Sequence, residues 1–131
     1  MAEYFTFNKK ERLCSHVVIQ RIFDQTNSFK QSPFRLAWTV NETVLEEFPA
    51  QIAISVSKRN FKKAVDRNLL KRRIREAYRL TKQSFYNILI SNNLSVSFII
   101  IYLDNKILPF SVIQHKIIEL LKTFAKNLTE K

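Results

Sequence analysis

The chain contains no glycine among its 131 residues. That excludes glycine-built phosphate loops and dinucleotide fingerprints, in which the backbone comes so close to a phosphate that a Cβ would intrude. It also leaves Asn or Asp to occupy any turn that needs a positive φ, with Asn27, Asn41, Asn92, Asn93, Asp104 and Asn105 as candidates. Cysteine is nearly as scarce. The single Cys14 cannot form an internal disulfide, and a small half-buried side chain is a simpler reading of it than a nucleophile. With only His16 and His115 beside it, no zinc set is available. No apolar run reaches the ~18 residues of a membrane span, and the N-terminus MAEYFTFNKKERLCS turns charged too early for a secretory signal. A soluble, cytoplasmic protein is expected. Acidic residues are few. Asp24, Asp66 and Asp104 fall in different elements, so the carboxylate cluster that two-metal hydrolysis requires is missing.

What the chain does contain is positive charge, and that charge is concentrated. Lys and Arg number 22 against 11 Asp and Glu, a net charge of +11. Within Lys58–Lys82, KRNFKKAVDRNLLKRRIREAYRLTK, eleven cations meet only Asp66 and Glu76, so this stretch holds +9 of the total. It is free of Pro and Gly and rich in helix formers. At helical spacing Leu70, Ile74 and Ala77 share one face, while Arg67, Asn68, Lys71, Arg72, Arg75 and Arg79 share a neighbouring arc. Leu69, Leu80 and Val65 form a smaller apolar patch beyond that row. A merely solvated helix face mixes signs to gain i,i+4 pairs. Lys71, Arg75 and Arg79 instead repeat the same sign every four residues, a self-repulsion that a polyanionic partner relieves.

Phe61–Arg75, FKKAVDRNLLKRRIR, resembles the signature of the bacterial ribonuclease P protein subunit: Ala64, then the pair Arg67-Asn68, the pair Lys71-Arg72, and Arg75 one turn on. The preceding SVSKRNF is similar to the family's strand-to-loop entry. The chain departs at Leu69, where the family usually carries Arg. The resemblance covers nearly the whole chain. It implies an α+β fold, a two-layer α/β sandwich of a four-stranded sheet with about three helices, and a left-handed βαβ crossover holding the basic helix.

Length and composition fit one domain over residues 1–131 with a real core, since 46% of residues are apolar and eleven are Phe. Residues 1–12 read as a mobile arm. A helix is expected from about Ser15 to Gln25, with Ile19, Ile22 and Phe23 on one face. Phe34, Leu36, Trp38 and Val40 alternate with Arg35, Ala37 and Thr39; Ile52, Ile54 and Val56 alternate with Gln51, Ala53, Ser55 and Ser57. The simplest arrangement pairs these two strands across the acidic connection 41–49, leaving Arg35, Thr39, Ser55 and Ser57 on an outer face. Ser57 or Asn60 is expected to cap the basic helix, which should end or bend near Thr81–Asn87. Ser91–Asn93 is a turn, and Leu94–Leu103, LSVSFIIIYL, is a central strand. Pro109 and Ser111 open a final helix with a Ser111/Gln114 capping box and a buried stripe of Ile113, Ile117, Leu120 and Phe124.

The resemblance implies a non-catalytic RNA-binding subunit of ribonuclease P, which removes the 5′ leader from precursor tRNA. The catalytic RNA and substrate would hold Mg²⁺, with no organic cofactor. Contacts to the catalytic RNA are expected from Lys58, Arg59, Lys62, Lys63, Arg67, Asn68, Lys71, Arg72, Arg75 and Arg79. The leader would lie between the first helix and the sheet, near Ile19, Phe23, Phe34, Arg35, Trp38 and Ser55, although Phe34 and Trp38 share a strand face with Leu36 and fit a core equally well. No obligatory protein partner and no membrane are expected. The alternatives are a ribosomal or ribosome-assembly protein of related fold, which would bind ribosomal RNA, and a self-sufficient nuclease. A membrane-surface helix is more distant, because the apolar stripes are narrow.

Overall fold

The apolar run near residue 100 sets the architecture, because a strand buried on both faces needs neighbours on both edges. In a computed structural model that describes residues 7, 9–24, 27–41 and 48–130, this run forms Val96–Tyr102. The elements in chain order are a short 3-10 turn at Lys9–Glu11, α1 (His16–Asp24), β1 (Ser28–Gln31), β2 (Phe34–Val40), β3 (Ala50–Val56), α2 (Ala64–Ser91), β4 (Val96–Tyr102) and α3 (Phe110–Thr129). The four strands lie in the order β1-β2-β4-β3. β4 runs antiparallel to β2 and parallel to β3, and α2 is the crossover between the parallel pair. The expected β2–β3 pairing is therefore corrected: β4 lies between them, which gives its apolar side chains cover along both edges. Among the acidic residues of the 41–49 connection, Glu42, Glu46 and Glu47 lie outside the described residues.

One sheet face packs α2 and α3 over Phe34, Leu36, Ile52, Val56, Phe98, Ile100 and Tyr102. Phe124 of α3 anchors it, with its ring centroid 5.0 Å from Phe98, 5.3 Å from Phe85 and 5.3 Å from Trp38. The other face carries a smaller cluster, in which Ile22 of α1 and Leu13 close over Ala37 and Ile99, flanked by Ile19, Ala53 and Ile101. Strand alternation divides the residues between the two faces. The α+β class, the four-stranded sheet and the three helices match the expectation; α1 adds a partial layer on the second face.

Several local expectations are revised. α2 does not end within Thr81–Asn87 but continues to Ser91, because Tyr78, Phe85, Tyr86 and Leu89 extend its buried stripe. It ends in a Schellman motif: Leu94 N–H bonds Leu89 O at 2.9 Å, Asn93 N–H bonds Ile90 O at 3.1 Å, and Asn93 takes φ 53°. Asn93 is the only candidate for a positive φ to adopt one among the described residues. Neither Ser57 nor Asn60 caps α2, whose N-cap is Lys63 with no side-chain hydrogen bond. Ser57 Oγ instead accepts from Arg59 N–H within the loop. α3 starts one residue before Ser111, so the expected capping box does not form. Residues 9–12 of the expected arm are docked, with Glu11 fully buried; residues 1–6 and 8 lie outside the described residues. β1 was not anticipated: it pairs with β2 over Ser28–Gln31, and only one of its residues, Phe29, is apolar.

Candidate nucleic-acid interface

The first half of α2 and the loop before it form a cationic surface. Leu70, Ile74 and Ala77 are fully buried and fix the rotation of the helix. That rotation leaves Asn68 and Arg72 exposed and Lys71 and Arg75 half-exposed. Lys58, Arg59, Lys62 and Lys63 on the loop are exposed as well. Among the described residues, none of these cations forms an ion pair with an acidic side chain. The loop continues into the N-terminal turn of α2, where the helix dipole adds to the positive field.

The remaining cations of the segment have internal duties. Arg67 donates from Nη1 to the carbonyls of Phe61 at 2.7 Å and Lys62 at 3.0 Å, folding the loop back on the helix. Arg73 donates from Nη1 to Leu108 O at 2.7 Å and ties down the segment that leads into α3. Arg79 is held by Glu76, with Nε–H donating to Oε2 at 3.1 Å. Those hydrogen bonds keep the Glu76 carboxyl below its ordinary range. Lys82 has no exposure and donates to Glu11, which is equally buried. Burial pulls the Lys82 ammonium below its usual value despite that partner. Tyr86 donates to the same carboxylate oxygen at 2.5 Å, and the Tyr78 hydroxyl donates to that of Tyr86 at 3.1 Å. Burial pushes both phenols upward. Of the expected RNA-contacting residues, Arg67 and Arg79 are thus partly committed to the protein itself, and Lys58, Arg59, Lys62, Lys63, Asn68, Lys71, Arg72 and Arg75 form the open row.

The second expected group divides. Phe34 and Trp38 lie on the sheet face beneath α2 and α3: Phe34 is fully buried against Tyr102, and Trp38 packs on Phe29 and Phe124. They cannot line a path between α1 and the sheet, because that path is on the opposite face. Arg35 and Ser55 are on the correct face, and both pair in register with Ile101, so the three form one row across β2, β4 and β3. Ile19 borders that face in the small cluster, while Phe23 projects from α1 with 60% of its surface exposed. Thr39, expected on the outer face, is buried. Lys82 was legible as an anomaly, a cation four residues after Tyr78 on the apolar stripe, but nothing in the sequence named Glu11 as its partner.

A cationic helix that crosses between two parallel strands over a four-stranded sheet now has a family to be compared with. The family model for ribonuclease P matches residues 7–125. The chain belongs to the ribonuclease P protein family. The ribonuclease P protein component of Porphyromonas gingivalis is 26% identical over 124 residues, covering 95% of this chain and 90% of the relative. The component from Buchnera aphidicola is 33% identical over 99 residues, covering 72% and 83%. The structure of a mutant Staphylococcus aureus RNase P protein matches with a TM-score of 0.69 at 27% identity, covering 88% of this chain and 89% of that one. As a ribonuclease P protein the chain is the RNA-binding component of the ribonucleoprotein that matures tRNA 5′ ends. Membership decides against the ribosomal alternative. No helix among the described residues is long and apolar enough to cross a membrane.

Proposed function

We propose that the protein binds the catalytic RNA through the open cationic row of α2 and its preceding loop, and binds the 5′ leader of precursor tRNA on the sheet face beside α1. The observation that carries this is the cluster Lys58, Arg59, Lys62, Lys63, Lys71, Arg72 and Arg75, which has no acidic partner among the described residues. Such a cluster repels itself in the free protein and is relieved by phosphates. The row of Arg35, Ile101 and Ser55, flanked by Ile19 and Phe23, offers a guanidinium, a hydroxyl and apolar surface to an unpaired strand. Phe34 and Trp38 are left out of this surface because they are core residues.

We further propose that the RNA and substrate hold Mg²⁺ and carry out hydrolysis, while the protein screens phosphate repulsion and holds the leader in the cytoplasm; among the described residues no three His, Cys, Asp or Glu side chains gather where they could hold a metal ion. Binding to the in vitro transcribed ribonuclease P RNA, titrated from 50 to 200 mM salt, tests the central claim. With about six phosphates neutralised, affinity falls roughly 10³-fold. A flat salt response overturns the reading.

A further inference from the structure

An open groove of about 220 Å³ runs along the edge of β3, lined by Arg12, Leu13 and Cys14 on one wall and by Lys71 and Arg75 on the other. Its first wall is the chain that leaves the N-terminal 3-10 turn. Arg12 pairs with Ile52 as a parallel bridge, and Leu13 N–H donates to Ile52 O at 2.9 Å. Because that bond shows the Ile52 carbonyl at the outer edge of β3 while its side chain stays in the core, strand alternation turns the backbone of Ile54 to the same open edge. Arg12 is exposed, and its guanidinium and that of Arg75 each stand 5.9 Å from the Phe7 ring centre. Among the described residues neither is in an ion pair. Two elements far apart in sequence thus bring cations to opposite sides of one groove, which is where a phosphate would neutralise both.

The residue before Arg12 explains how the wall is held. Glu11 is sunk beside Lys82 and Tyr86, with no exposure. A buried ion pair rarely stabilises more than a well-packed apolar pair would, but it admits one register only, because any slip leaves a charge unpaired. We propose that Arg12 is a phosphate-binding residue of the RNA interface and that Glu11–Lys82 is a positioning pair that sets Arg12 opposite Lys71 and Arg75. The inference rests on the reading of α2 as an RNA-binding surface and extends that surface to a segment outside α2. The ligand chemistry is an RNA backbone phosphate, which either the catalytic RNA or the precursor tRNA leader supplies.

The test uses the full chain and compares Arg12→Ala with Arg75→Ala. The measured quantity is the slope of log affinity against log salt, first for the ribonuclease P RNA alone and then for precursor tRNA on the reconstituted holoenzyme. Each variant should lower the slope by about 1 in the arm whose phosphate it contacts, with unfolding midpoints unchanged for Arg12→Ala. If only Arg75→Ala moves the slope, the inference fails while the reading of α2 stands; if neither moves it in either arm, that reading fails too. The positioning role is read from a cycle in the double variant Glu11→Ala with Lys82→Met, which removes both buried charges and so avoids the unpaired charge that a single substitution leaves. In that background the salt slope should already match that of Arg12→Ala, and adding Arg12→Ala should change nothing further. A full, undiminished effect of Arg12→Ala in the double variant overturns the positioning role, since a pair that serves stability alone does not couple to the salt slope.

Discussion

Replacing Lys82 by Met while leaving Glu11 in place should destabilise the fold. Glu11 would keep the Tyr86 hydroxyl as a donor but lose the Lys82 ammonium, and both side chains of that pair are fully buried. Removing one partner of a buried pair typically costs about 3–5 kcal/mol, because the group left behind stays out of water. Removing both charges at once avoids that cost, so the double apolar substitution Glu11→Leu with Lys82→Met should recover a large part of the loss. Urea unfolding of the wild type, Lys82→Met and the double variant at one pH reads both differences, with the slope checked for change. A Lys82→Met protein within about 1 kcal/mol of wild type would refute the reasoning, and so would one as stable as the double apolar variant.

Three further outcomes are expected. Glu76→Gln should weaken the hold on Arg79, tightening binding to the ribonuclease P RNA with little effect on stability, because the pair is half-exposed and screened by water; what stability the pair does lend is present above the ordinary carboxyl range and disappears as pH falls through the lowered Glu76 value. Arg67→Ala should lower the thermal midpoint through two lost loop hydrogen bonds, at about 2 kcal/mol, whereas Arg75→Ala should reduce RNA affinity with stability kept within about 1 kcal/mol. Calorimetry beside filter binding separates the two roles. Asn93→Gly should leave stability unchanged or slightly raised, while Asn93→Val should cost about 1–2 kcal/mol, because φ 53° suits a residue without a branched Cβ; chemical denaturation of the three proteins measures both.

The sequence made the main outline readable wherever one physical signal dominated. The stripe Leu70, Ile74, Ala77 and the cations beside it placed a helix and its open face, and the run Val96–Tyr102 announced a strand buried on both sides. The same run argues against a β2–β3 hairpin, since a central strand needs two neighbours, and β4 takes that place between them. β1 escaped because SFKQ has one apolar residue and pairs along only one edge. The assignment of Phe34 and Trp38 to the leader failed because alternation gives two faces without saying which one a helix covers. Chemistry that joins remote positions left the faintest trace. Arg67, Arg73 and Lys82 look alike as letters in a basic segment, yet one holds a loop, one anchors the approach to α3 and one is buried.

The strand order has a consequence for biosynthesis. Among the described strands β4 comes last in chain order, yet it occupies an interior position with β2 and β3 on its flanks. Until Tyr102 emerges, the hairpin of β1 and β2 and the edge of β3 wait as unfinished halves, and α2 must already be made because it joins β3 to β4. The pairing Phe34↔Tyr102 spans about half of the chain, so closure of the sheet is a late, non-local event. A chain that still lacks β4 therefore already carries the cationic segment Lys58–Lys82, while the sheet that α2 packs on is incomplete.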